Sequence, residues 1–344
     1  MKKTVFPILL VLMMFLTACG SNSFESQVDD YIKSQNINGA VLIAQKGKII
    51  FSKAYGVVAS TKTPITLDTP FSIDAMTRSF TAMGVMLLQQ EGKLSIDDPV
   101  CKYLATCPDT WKPITLRQLL TNTAGVYEYT EQMVPEDFCK PHTQKEMVDS
   151  IQAFPLEYKP GESWKYSSAS YYLLGLVIEK VSGQDYATFI QKNIFDPLKM
   201  TASGYNVSTV EPYKTQMANC KDMVTVTFAS GALYSTVGDL YKWDQALYGN
   251  TLVSKETLDK IFASPVSTGL KGDGSEPIDY GFGWLITNEF GHHVVMHGGH
   301  TPGFDGYLRR YTDDQVTVIV LENQLYGSAA LSKSLAGMIF KPQK

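Results

Sequence analysis

The chain reads as an α+β protein, with an antiparallel sheet built from both chain ends, flanked by helices, and a helical subdomain inserted between them. Three observations predict this. Apolar, β-rich runs occur early, at residues 40–44 and 48–53, and return late, at 280–287, 292–297, 306–311 and 317–321. Lys46-Gly47 between the first two runs is a hairpin signal. The stretch between the two sets is dominated by helix signals. Strands at both ends with helices between them describe a discontinuous domain whose terminal pieces pair in one sheet. The functional site of such an arrangement falls in the cleft between its two parts.

Each element has its own local reason. Residues 24–36 have the apolar spacing of an amphipathic helix. Asp74 suits the N-cap of the helix that follows it, and Gly92 its stop. Thr115 with Gln118, and Thr143 with Glu146, have the spacing of capping boxes. Residues 168–181 form a long apolar helix ended by Ser182-Gly183, and residues 235–248 carry Leu240, Trp243 and Leu247 at helical spacing. A closing helix spans 328–340.

The N-terminus has the form of a processing signal. Lys2 and Lys3 precede an apolar run, residues 5–16, too short to span a bilayer comfortably. It ends Leu16-Thr17-Ala18-Cys19-Gly20, which resembles a bacterial lipobox. In that reading residues 1–18 are a lipoprotein signal peptide, Cys19 is lipidated, and 19–23 form a short tether before a domain at 24–342. The protein is then exported and lipid-anchored to the bacterial cell envelope, on the periplasmic side. The alternative is an ordinary secretory signal with a chance cysteine.

Charge argues against one class of partner. The 344 residues carry 30 Lys and Arg against 34 Asp and Glu, a net charge of −4, which gives no support to nucleic-acid binding. Beyond Cys19 four cysteines remain: Cys101, Cys107, Cys139 and Cys220. An even number in an exported chain suggests disulfides. Three pairings are possible, with buried free thiols as the alternative; local loop closure favours Cys101 with Cys107 and Cys139 with Cys220.

The most informative stretch is residues 71–82. Phe71, Ile73, Thr77, Phe80 and Thr81 keep a frame, Phe-x-Ile-x-Ser-x-Thr-Lys-x-Phe-Thr, that resembles the nucleophile helix of the serine β-lactamase and penicillin-binding-protein superfamily. The pattern is nearest that of the class C β-lactamases and their esterase and D-Ala peptidase relatives. Further landmarks follow in family order. They are residues 92–99, similar to Gly-x-Leu-x-Leu-Asp-Asp-Pro, and 114–125, similar to a segment ending His-Thr-Ser-Gly with Asn122 and Ala124 departing from it. Tyr166-Ser167-Ser168 falls on the second motif, Tyr-x-Asn, and residues 233–240 on another shared segment. His297-Gly298-Gly299 falls on the third motif, Lys-Thr-Gly or His-x-Gly. Several motifs in order carry more weight than one. The resemblance implies a β-lactamase/transpeptidase-like fold, with the helical insertion at roughly residues 75–270.

It also implies an acyl-transfer chemistry that this chain lacks. In the family a serine attacks a carbonyl, lysine and tyrosine manage its proton, and two backbone N–H groups hold the oxyanion. Here Ala75 stands at the serine position and Arg78 at the lysine position. Alanine has no nucleophilic atom, and a guanidinium stays protonated and cannot accept a proton. Ser72 and Ser79 are nearby hydroxyls, but neither has a lysine three residues on. No catalytic set is intact at the family positions Ala75, Arg78, Tyr166, Ser168 and His297.

What remains is binding equipment. The Ala75 N–H stands at a helix N-terminus, and the His300 N–H matches the second oxyanion donor. Tyr166, His297, Gly298, Gly299 and the fork of Arg78 complete a set suited to a carboxylate or carbonyl. Asp74 is placed to pair with Arg78 at i,i+4. No cofactor is implied. His292, His293, His297 and His300 cluster, yet His293 and His297 lie ~13 Å apart on a strand, too far to share a metal. Tyr171 and Tyr172 suit core packing.

Three functions follow: a catalytically degenerate envelope lipoprotein that binds a peptidoglycan-derived peptide, another small carboxylate or a protein partner; an active serine-hydrolase-family enzyme with a non-standard nucleophile; or a structural lipoprotein with a vestigial cleft.

Overall fold

A computed structural model describes residues 23–210, 213, 219–263, 266–272, 276–324 and 327–340. The expected signal peptide, Cys19 and the tether up to residue 22 lie outside the described residues. No helix among the described residues is long and apolar enough to cross a membrane.

Eight antiparallel strands form the main sheet, and both chain ends supply it. Strands β1 (Gly39–Gln45) and β2 (Lys48–Tyr55) form the early hairpin, with Lys46 and Gly47 both at positive φ in the turn. Late in the chain come β6 (Val266–Lys271), β7 (Pro277–Tyr280), β8 (Leu285–Glu289), β9 (His292–Thr301), β10 (Phe304–Tyr311) and β11 (Val316–Glu322). The spatial order is β2-β1-β11-β10-β9-β8-β7-β6. The first strand pairs with the last, Val41 opposite Val320, which closes the domain across the whole sequence. A small second sheet is formed by β3 (Phe71–Ser72), β4 (Gly204–Tyr205) and β5 (Leu233–Ser235), in the order β3-β5-β4.

Both faces of the main sheet are covered. Along β1, Ala40, Leu42 and Ala44 belong to one core and Val41 and Ile43 to the other. That period of two on a strand buried on both faces explains its unbroken apolar run. The smaller core is closed by α1 (Phe24–Ser34) and the last helix, Ser328–Phe340, through Val28, Ile32, Leu331 and Leu335. The larger core holds the helical insertion.

Within the insertion, α2 (Thr77–Gln90) is buried almost all round, including Arg78. A helix apolar on every side belongs inside a large core. It packs against α5 (Ser168–Ser182): a Cβ on Gly84 would lie 3.0 Å from Ile178. Phe80 stacks on Trp243 with ring centroids 4.3 Å apart. Helices α3 (Leu116–Leu120) and α4 (Gln144–Gln152) start at the expected capping boxes of Thr115 and Thr143. Then come α6 (Tyr186–Ile190), α7 (Met223–Gly231), α8 (Val237–Ala246), α9 (Lys255–Phe262) and the closing helix, α10 (Ser328–Phe340). Both locally favoured disulfides form, Cys101–Cys107 and Cys139–Cys220.

Three local expectations need correction, and one strand was not foreseen. Residues 280–287 are not one strand: the chain leaves the sheet after Tyr280 and re-enters at Leu285. Between them Gly283 (φ +80°) passes over α2, where a Cβ would meet the Arg78 carbonyl oxygen at 2.7 Å. Ser235 ends β5, and α8 begins only at Val237, because Thr236 supplies its cap to the Asp239 N–H. Strand β6, polar and mostly exposed, carried no apolar signal. Asp74 does not cap α2. It opens a 3₁₀ turn, Asp74–Met76, at φ +37°, and the helix N-cap is Met76, with no side-chain cap.

Candidate functional site

The cleft between the insertion and β9 is built around that 3₁₀ turn. β3 pairs with β5, and the Ile73 N–H donates to the Leu233 carbonyl (3.0 Å), so the chain enters the turn from a fixed direction. Strand β9 runs against the turn: a Cβ on Gly299 would fall 2.0 Å from the Ile73 carbonyl oxygen and 3.1 Å from the Ala75 nitrogen. Only glycine permits that approach. It brings the His300 N–H beside the Ala75 N–H, 225 residues apart in sequence.

Asp74 lies against both. Its Oδ2 accepts from the His300 N–H at 3.1 Å, and the adjacent Ala75 N–H favours its charged form. Burial pushes the Asp74 carboxyl up to about 6, against the lowering effect of the His300 N–H and the nearby Arg78 charge. Of the two N–H groups expected to face a ligand, that of His300 is engaged by this internal carboxylate. Asp74 makes this contact from a backbone at positive φ.

Arg78 is 2% exposed. Its Nη2 donates to Ser168 Oγ (3.0 Å) and its Nε to the Ser230 carbonyl (3.5 Å). The guanidinium lies 3.8 Å from the centroid of the Tyr166 ring, a cation–π contact, and its Nη1 has no hydrogen-bond partner. Its hydrogen bonds thus go to Ser168 and Ser230, and Asp74 feels its charge without being its hydrogen-bond partner. The Ser230 carbonyl is available because α7 breaks at Phe228 (φ +38°, ψ −128°), turning the last residues of that helix toward α2. Thr81 Oγ1 bonds the neighbouring Ala229 carbonyl at 2.6 Å.

Ser168 is held from a second side. The buried carboxylate of Glu128 accepts from the Ser168 N–H at 2.5 Å and from the hydroxyl of Thr130. An acid at the N-terminus of α5 compensates the exposed N–H groups there. Glu128 was missed from sequence, because nothing local marks it as a partner for a helix start 40 residues on.

His297 lies deeper. It is 2% exposed, its Nδ1–H donates to the Gly298 carbonyl (2.6 Å), and its ring packs near Tyr166 and Tyr280. Burial, then the charge of Arg78, hold its pKa down at about 3, so the ring is neutral. His297, Gly298 and Gly299 support the cleft from behind and do not line it. The other cluster members diverge: His292 contacts Asp314 and His293 contacts Thr312. Tyr171 and Tyr172 are core residues, as their position suggests; the Tyr171 hydroxyl bonds the Leu120 carbonyl. Ser79 Oγ is tied to the Met76 carbonyl (2.8 Å).

The cavity measures about 450 Å³. Asp74, Ala75, Arg78, Tyr166, Ser168 and His300 line its polar end. Tyr129, Met133, Phe138, Met223, Val226 and the Cys139–Cys220 disulfide line the apolar wall. Two larger hollows, of about 570 and 720 Å³, contain none of the motif residues. The cleft is thus chosen by its chemistry and not by its size.

A serine-hydrolase fold, with its motif positions gathered at one cleft, is the class that architecture and site define. The chain belongs to the beta-lactamase family, whose profile matches residues 24–336. It is 32% identical over 320 residues to penicillin-binding protein 4* of Bacillus subtilis, covering 85% of this chain and 69% of that one. Its fold resembles a penicillin-binding protein from Bacillus halodurans (TM-score 0.78, 24% identity, 90% and 99% of the two chains). It also resembles D-amino acid amidase from Ochrobactrum anthropi (TM-score 0.80, 20% identity, 94% and 99%).

Proposed function

We propose that this protein is a catalytically degenerate, penicillin-binding-protein-like member of the family that binds a peptide or other carboxylate-bearing ligand at the bacterial cell envelope. The observation that carries this reading is the floor of the cleft. Ala75 presents a methyl group where attack would begin, and Arg78, a permanent cation, is clamped by Ser168, Ser230 and Tyr166. The hydroxyls of Ser72 and Ser79 are buried, and Ser79 is bonded to backbone. The ligand class rests on Arg78, a buried cation that lines the polar end, and on the apolar wall opposite.

Export and anchoring belong to the same proposal. Its support is the basic-then-apolar N-terminus ending at Cys19, and two disulfides that suit an oxidising compartment. Labelled palmitate should enter the protein and fail to enter Cys19→Ser.

Incubation with a fluorescent penicillin tests the degeneracy. We expect no covalent adduct, and an adduct on the unaltered protein overturns the reading in favour of an active enzyme. Calorimetric titration with N-acetyl-D-alanyl-D-alanine tests ligand binding. No heat at millimolar peptide would leave the structural role, with a vestigial cleft, as the better account.

A further inference from the structure

We propose that Asp74 is a built-in occupant of the anion site between the Ala75 and His300 N–H groups, and so determines which ligands the cleft accepts. A ligand carbonyl or carboxylate gains those two donors only by displacing it. This deepens the binding role proposed above and rests on it for its consequence, but not for its geometry.

Three independent features hold the carboxylate in place. The first is the hydrogen bonding: the His300 N–H donates to Asp74 Oδ2 at 3.1 Å, beside the Ala75 N–H that also favours the charged carboxylate. The second is the backbone, since Asp74 adopts φ +37°, a region that non-glycine residues occupy only when their surroundings enforce it. The third is room made by a neighbour. A Cβ on Gly231 would lie 2.6 Å from Asp74 Oδ1, so the absence of a side chain there leaves space for the carboxylate. An N–H engaged by an internal anion, with that charge beside its neighbour, cannot also serve an external anion.

The occupant is sensitive to protons. The charged and titratable groups around it are Arg78 from α2, His300 from β9 and Tyr166 from the loop before α5; α7 contributes none. His300 in turn lies 3.8 Å from Asp305. A carboxyl titrating at about 6 is ionised at neutral pH and mostly protonated at pH 5. Protonation removes the negative charge that the two donors stabilise. A small carboxylate ligand, still ionised at pH 5, then meets a weaker competitor. The cleft is therefore largely closed to carboxylates at neutral pH and opens on mild acidification.

The first test needs no ligand. In the full chain labelled with 13C at aspartate carboxyls and 15N at the backbone, the Asp74 carboxyl and the Ala75 and His300 amides should titrate together with a midpoint near 6. In Asp74→Gly, whose residue 74 conformation glycine tolerates, both amides should shift and lose that titration. Amides that ignore Asp74 overturn the proposal, whatever the cleft binds. The second test uses N-acetyl-D-alanyl-D-alanine. Wild type should bind at least about tenfold more tightly at pH 5.0 than at 7.5. Asp74→Gly should bind tightly at both values. Asp74→Asn, which keeps the acceptor oxygen and loses the charge, isolates any contribution from His300. If Asp74→Gly binds no better than wild type at pH 7.5, the competition is absent. Coupled titration without any peptide binding would uphold the internal occupant and refute the ligand reading alone.

Discussion

Two buried arginines show how the scaffold and the cleft differ. Arg310, 1% exposed, lies between β10 and α8. Its Nε donates to Asp244 Oδ1 at 2.5 Å, its Nη2 to the Asp244 carbonyl at 3.2 Å, and Thr317 donates to the second carboxylate oxygen at 2.7 Å. Arg78 is just as buried, yet it has a hydroxyl, a distant carbonyl and an aromatic face, with one nitrogen unpartnered. Its neighbouring acid, Asp74, accepts from the His300 N–H instead. A buried charge with a complete set of partners fixes architecture. One with an incomplete set is the signature of a site.

Cutting the complete pair should have the largest effect. Asp244→Ala leaves Arg310 buried and unpaired, and should cost about 3–5 kcal/mol in urea unfolding. A loss below 1 kcal/mol would show that the two arginines are alike in kind.

The next effect depends on pH. Asp74 titrates above its ordinary value when folded, so its protonated form favours the fold and stability declines as pH rises from about 4 to about 6. Asp74→Asn removes that decline. Its stability advantage over wild type should grow across this window to at most about 3 kcal/mol, then stay level above pH 7. His297 acts in the opposite sense. Its folded pKa lies below its ordinary value, so it opposes folding as pH falls from about 6.5 toward 3. The difference between wild type and Asp74→Asn isolates the aspartate.

The smallest effect belongs to the incomplete arginine. Arg78→Met loses one good hydrogen bond and a cation–π contact, and should cost only about 1–2 kcal/mol. It should also raise the Asp74 carboxyl further, because the Arg78 charge lowers it now. A 13C titration of Asp74 that does not move would show that the two residues are not coupled.

Much of the fold was legible because its signals are local. A capping box needs only Thr115 and Gln118, or Thr143 and Glu146, and both formed where the spacing placed them. The Lys46-Gly47 turn and the closing helix at Ser328–Phe340 are local in the same way. Errors arose where a distant segment intervened. The run at 280–287 is apolar enough for one strand, but Gly283 is drawn over α2. Ser235 has helical neighbours, but pairs with Phe71.

The sequence by itself determined the α+β architecture, the family frame around residues 71–82, and the absence of a hydroxyl at Ala75 and of an amine at Arg78. These follow from residue identity and short-range periodicity. Only the tertiary structure decided what Asp74 does. Read locally, it is a helix cap, since an aspartate before a helix ordinarily bonds the N–H groups two or three residues on. In the folded chain Gly299 lets β9 approach the turn closely enough to bring the His300 N–H within 3.1 Å. A hydrogen bond spanning 226 residues leaves no trace in local sequence, because the position of its donor is set by sheet pairing.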